Sequence, residues 1–195
     1  AGNDLKQWFS KEAQEIERIL RALSLKLSPI AEGCRINLIT MAQIDMIFAR
    51  ASWGAANRCV EPKIRTDGRI RILEGRHPLI DPEKVVPITL SMGGDVKQLV
   101  VTGPNTGGKT VTLKTVGLFA LLMQAGFPLP AALGTEMPVF DEVFADIGDE
   151  QSIEQSLSTF SSHMTNIVSI LSAVTGNSLA LFDELGAGTD PTEGA

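Results

Sequence analysis

"VVTGPNTGGKT", residues 100–110, is the stretch that decides the fold. Gly103, Gly107, Gly108, Lys109 and Thr110 satisfy the pattern G-x-x-x-x-G-K-[ST]. The "QLVV" before it (98–101) reads as a short buried strand, and "TVTLKTVGLFALLMQAG" after it has apolar residues at helical spacing. Strand, turn and helix in that order are the context the motif requires. Glycines let backbone N–H groups turn inward without a Cβ clash, and a helix start adds unpaired donors and a positive dipole end. Phosphate oxygens are the natural guest, with Lys109 along the β- and γ-phosphates and the Thr110 hydroxyl taking one position on Mg²⁺. The competing account is a chance glycine turn ahead of a core helix, and the flanking elements argue against it.

A second chemical element is "SLALFDELGAGTD", residues 178–190. Leu179 to Phe182 form a mostly apolar strand, and Asp183 and Glu184 stand at its end. This is the Walker B arrangement, in which Asp183 serves the Mg²⁺ shell and Glu184 polarises the attacking water. Adjacent carboxylates closing an apolar strand are costly unless paired, and a metal ion supplies the missing charge. The bland alternative is a solvated turn after a core strand. A lysine-bearing glycine turn earlier in the chain, at 103–110, favours the nucleotide reading: ATP or ADP with Mg²⁺.

Composition sets the frame. With 195 residues, 44% of them hydrophobic, the chain can bury a core and allows one to two domains. Cys34 and Cys59 form no C-x-x-C, and His77 and His163 are the only imidazoles, so a zinc site or disulfide framework is not expected. The charged, amphipathic start is no signal peptide, and Gly126, Pro128 and Pro130 break the longest uncharged run. No membrane association and a cytoplasmic location are expected. Residues 1–77 hold 13 Lys/Arg against 9 Asp/Glu, whereas residues 78–195 hold 4 against 14. Polynucleotide binding is driven by phosphate neutralisation, so any such surface is expected in the N-terminal half or in further sequence.

Leu5, Trp8, Phe9, Ile16, Ile19, Leu20, Leu23 and Leu27 fall on one helical face. Ser28 and Pro29 then read as an N-cap and first-turn proline, opening a second helix over residues 30–53. A helical hairpin follows, either plain scaffold or the stub of a longer arm. Farther on, "RIRIL" (69–73) and "KVVPITL" (84–90) read as edge strands beside the nucleotide sheet, and His77 precedes a proline in extended chain, where a structural role is the more frequent. In "SLSTFSSHMTNIVSIL" (156–171), Ser158 and Thr159 can cap a helix or offer donors to a phosphate from another subunit. The residues alone do not choose.

"TGPNTGGKT", "LSTFSSHM" and "LFDELGAGTDPTEGA", in this order, resemble the ATPase domain of the MutS family, and "GPNTGGKT" and "GAGTDPTEGA" resemble its bacterial type-two branch. The likeness covers residues 74–195, where "EGRHPLID" is also a family stretch, and the N-terminal helices resemble lever helices that carry a clamp. The resemblance implies an ABC-type ATPase that dimerises around its nucleotides. Gly103, Pro104, Asn105, Thr106, Gly107, Gly108, Lys109 and Thr110 would bind the phosphates, Thr110 and Asp183 the Mg²⁺, and Glu184 would be the catalytic base. Ser158 and Thr159 match the signature that acts across the dimer, and Ile88 falls where the family packs the adenine. It also implies a homodimer acting on branched DNA to limit recombination, or alternatively on stalled or collided ribosomes, the blander reading being an isolated nucleotide-binding fragment without activity; type-two relatives add a clamp and a nuclease domain that are not visible in this sequence.

The expected fold class is therefore α/β: a P-loop (ABC-type) ATPase sheet with flanking helices, preceded by an N-terminal helical hairpin. Residues 1–60 are expected to form the helical lever segment and 61–195 the ATPase domain, incomplete at its C-terminus. The chain lacks an initiating Met and stops soon after "GTDPTEGA", so it reads as a truncated piece, with hydrolysis expected to be impaired even where nucleotide binding survives.

Overall fold

The computed structural model describes residues 2–104, 107–147 and 156–184. The chain divides into two units, Ala1–Ala49 and Arg50–Ala195. The first holds most of α1 (Gly2–Ala56), one unbroken helix with Pro29 inside it. This corrects the expected hairpin. A proline in a helix interior costs about 3 kcal/mol because one ladder bond is lost. Good helix formers on both sides offset that cost, and Glu32 takes two bonds from Arg35 at 2.9 and 2.6 Å one turn past the proline. The Ser-Pro pair is therefore carried through the helix and opens no new one. Apolar side chains along this helix are solvent-exposed, Trp8 by 68%.

The second unit is α/β, with two sheets and two further helices. Its strands are β1 (Lys63–Arg65), β2 (Ile70–Gly75), β3 (Ile88–Met92), β4 (Glu136–Pro138), β5 (Val143–Asp146) and β6 (Leu179–Phe182). Helices α2 (Lys109–Gln124) and α3 (Ser156–Ala173) lie between them in sequence. The larger sheet runs β1-β4-β2-β3, with β1 and β4 parallel and β2 antiparallel to both of its neighbours. The smaller sheet is the parallel pair β5 and β6, in register from Val143 opposite Leu179 to Asp146 opposite Phe182.

Alternation in β2 is as read from sequence: Ile70 and Ile72 are buried and Arg71 faces out. Its position is not. β2 is an inner strand of a separate sheet, not an edge beside β6. The strand in "KVVPITL" begins only at Ile88, because Pro87 lacks an N–H and restricts the residue before it. Residues 98–101 form no strand, and Val100 is 81% exposed. Strand propensity expresses itself only against a partner edge, and none among the described residues pairs with this segment.

Helix α2 forms the floor of the unit. Thr115, Val116, Phe119, Ala120 and Met123 are its buried face, packed with Ile70, Ile72, Leu129, Met137, Leu179 and Leu181. Its end is sharply defined. Gly126 sits at φ +77°, its N–H reaches Met123 O at 2.9 Å, and Phe127 N–H reaches Leu122 O at 2.9 Å. This Schellman arrangement needs a residue at ease in the left-handed region, so the helix stops where the glycine predicts. Among the described residues, no helix is long and apolar enough to cross a membrane.

The two cysteines are unpaired. Burial pushes the Cys59 thiol up, partly opposed by the Arg76 charge, while Cys34 is exposed on α1. Thiolate is the reactive form. Under limiting iodoacetamide at pH 8, Cys34 is expected to be alkylated before Cys59, as peptide mass mapping would show; preferential labelling of Cys59 would contradict this.

Candidate functional site

Helix α2 begins where the glycine turn ends. Gly103 lies at φ +149° and Gly108 at φ +76°, and a Cβ at either position would meet nothing within 4 Å. Backbone conformation, not crowding by the described residues, therefore asks for glycine at these two positions. Gly107 N–H closes the turn on Pro104 O at 2.8 Å, and Thr112 N–H begins the helical ladder on Gly108 O at 2.9 Å. Lys109 Nζ folds back to donate to Gly103 O at 2.7 Å. The ammonium thus lies over the turn, at the helix end where an anion is favoured.

Thr110 Oγ1 donates to Asp183 Oδ2 at 2.6 Å. Two residues far apart in sequence meet because α2 packs on β6, whose C-terminal end presents Asp183. Gly117 permits that packing, since a Cβ there would fall 2.7 Å from Leu181 Cδ1. Glu184 follows, exposed, with φ +50°. A non-glycine residue in the left-handed region is uncommon and strained, and such residues cluster at functional sites.

A hydroxyl and a carboxylate in contact are hard oxygen donors suited to Mg²⁺, which is commonly held by one or two protein groups with substrate phosphates filling the rest. Among the described residues no group of three or more His, Cys, Asp or Glu could hold a metal by itself. The residues present fit an ion that arrives with a nucleotide.

Sequence reasoning missed the neighbouring cluster. Asp146 closes β5, and its main-chain O accepts from Asp183 N–H at 3.0 Å. Its carboxylate is held by His163 Nδ1 at 3.0 Å and by Asn166 Nδ2, which donates at 2.8 Å. Burial alone would raise the Asp146 pKa; the bonds from Asn166 and His163 outweigh it and hold the carboxyl below its usual range. What this pairing adds to stability is therefore complete at neutral pH and is lost as pH falls through the lowered value. The i, i+3 spacing of His163 and Asn166, which puts both on one face of a helix, was the available signal.

The other expected residues are less informative. Ile88 opens β3, half-buried against the core and opposite Gly75. Ser158 and Thr159 lie in the first turn of α3, and their side chains are outside the described residues. Asn105, Thr106 and residues 185–195 are also outside them. His77 Nδ1 accepts from Leu79 N–H at 3.2 Å. Burial, aided by the Lys114 charge, pushes its pKa down.

Residues 99–195 match the family model of MutS domain V, and the chain belongs to the MutS family. Its similarity extends over the full 195 residues to proteins named Endonuclease MutS2. That of Ruminiclostridium cellulolyticum is 58% identical over 195 residues, 100% of this chain and 25% of that protein. That of Exiguobacterium sibiricum is 56% identical over 195 residues, again 100% and 25%. That of Shouchella clausii is 57% identical over 193 residues, 99% and 24%. The chain thus spans about a quarter of the length of the curated relatives it matches.

Proposed function

We propose that this chain is the ATP-binding and ATP-hydrolysing part of a homodimeric clamp that acts on branched DNA and limits recombination. The observation that carries the ATPase reading is the 2.6 Å bond between Thr110 and Asp183, together with the Lys109 ammonium held over the glycine turn. Gly103 to Thr110 cradle the phosphates. Lys109 Nζ exchanges its bond to Gly103 O for β- and γ-phosphate oxygens, where its charge offsets what develops in transfer. Thr110 and Asp183, now bonded to each other, would hold the Mg²⁺, which when bound would neutralise phosphate charge. Glu184 orients the attacking water and takes its proton. Asn105 is assigned to the γ-phosphate, Ile88 to the adenine, and Ser158 and Thr159 to the partner's nucleotide across the dimer.

The DNA contact is assigned to segments N-terminal to this unit or outside this chain. Residues 78–195 hold 4 Lys/Arg against 14 Asp/Glu, a balance that repels a polyphosphate backbone.

The test uses the full-length protein. Phosphate release should depend on Mg²⁺, and Glu184→Gln should lower turnover about 100-fold or more while leaving ATP binding in place. Four-way DNA junctions should be retained in a nucleotide-dependent way. Retention on ribosomes with no junction preference would replace the DNA reading with a ribosomal one, and turnover unaffected by Glu184→Gln would remove the catalytic assignment.

A further inference from the structure

We propose that Asp146 is a positioning residue for ATP hydrolysis that locks the signature helix α3 to the strand end carrying Asp183. The inference rests on the ATPase reading above. One residue touches both sides. Through its main-chain O it holds Asp183 N–H at 3.0 Å, and through its two carboxylate oxygens it holds His163 and Asn166 of α3 at 3.0 and 2.8 Å. Asp146 is only 7% exposed, so the carboxylate has exchanged most of its water for these two partners.

A buried carboxylate is an unfavourable choice for plain packing. An apolar pair would join β5 to α3 without the desolvation cost, and the same helix does bury an apolar side chain, Ile170, one turn farther on. What the polar arrangement adds is directional. Successive residues of a helix are about 100° apart, so a one-residue rotation or slide of α3 breaks both bonds. Ser158 and Thr159 precede His163 by one helical turn. A displacement imposed on that first turn by a partner subunit is therefore passed to Asp146, and through its carbonyl to Asp183, instead of being absorbed in side-chain rearrangement.

The experiment measures steady-state phosphate release, ATP affinity and melting temperature of the full-length protein carrying Asp146→Ala, His163→Ala, both together, or His163→Gln. His163 is 30% exposed, so its removal leaves the fold in place even where Asp146→Ala does not. The expected result is a turnover about tenfold lower in each single variant, with KM and ATP affinity within about twofold of wild type. The double variant should be no slower than the singles, because both break one connection. His163→Gln, which keeps a donor facing Asp146, should recover most of the turnover. Wild-type turnover in His163→Ala, or losses that multiply in the double variant, overturns the proposal. So does a loss confined to ATP affinity, or one that His163→Gln fails to recover. A wild type that releases no phosphate overturns the ATPase reading, and this inference with it.

Discussion

Lys109→Ala is expected to remove measurable binding of ATP and to weaken that of ADP, which lacks the γ-phosphate, by less. In the structure the ammonium is held over the turn by Gly103 O at 2.7 Å, so no large rearrangement is needed to meet a phosphate. Hydrogen bonds to charged groups contribute about 1.5–3 kcal/mol each, and Lys109 would make one to each of two phosphate groups in ATP. Losing both weakens binding by about 100-fold or more, enough to carry a micromolar site beyond ordinary detection. The fold should be unaffected, since the lysine side chain is not part of the core.

The largest stability effect is expected from Phe119→Ala. Phe119 is 0% exposed on the buried face of α2, and a Cβ built on Gly75 of β2 would come within 3.1 Å of its ring. The ring thus fills the space between the helix that follows the glycine turn and the larger sheet. Truncating a buried phenylalanine costs about 3–5 kcal/mol, the transfer term and the cavity term together. Domains have only about 5–15 kcal/mol of stability in all, so urea denaturation should show a midpoint lowered by a large fraction. A midpoint unchanged from wild type would mean that the ring is not the packing centre of this unit.

Features whose signal is local were legible in the sequence. Helix α2 begins at the turn's lysine and stops just short of Gly126 because both boundaries depend on backbone conformations that few residues adopt. Strand β6 and the carboxylates after it were legible for the same reason: an apolar run that stops at a charge. Features that depend on partners were not. The "QLVV" segment has the composition of a strand and pairs with nothing among the described residues. β1 and β4, at three residues each, are too short to show a period. Pro29 looked like a helix start because its cost is local, while the bonds that outweigh it are spread over many turns. Asp146 was not legible as a site residue because the spacing of His163 and Asn166 marks a shared helix face and not what that face meets.

The glycine turn with Lys109, Thr110 and Asp183 is proposed to form a nucleotide site. Calorimetric titration of ATP with Mg²⁺ into wild type and Lys109→Ala tests it most directly. Saturable binding in the wild type that disappears in the variant is the expected result. Equal heats in the two proteins, or none in either, would contradict it.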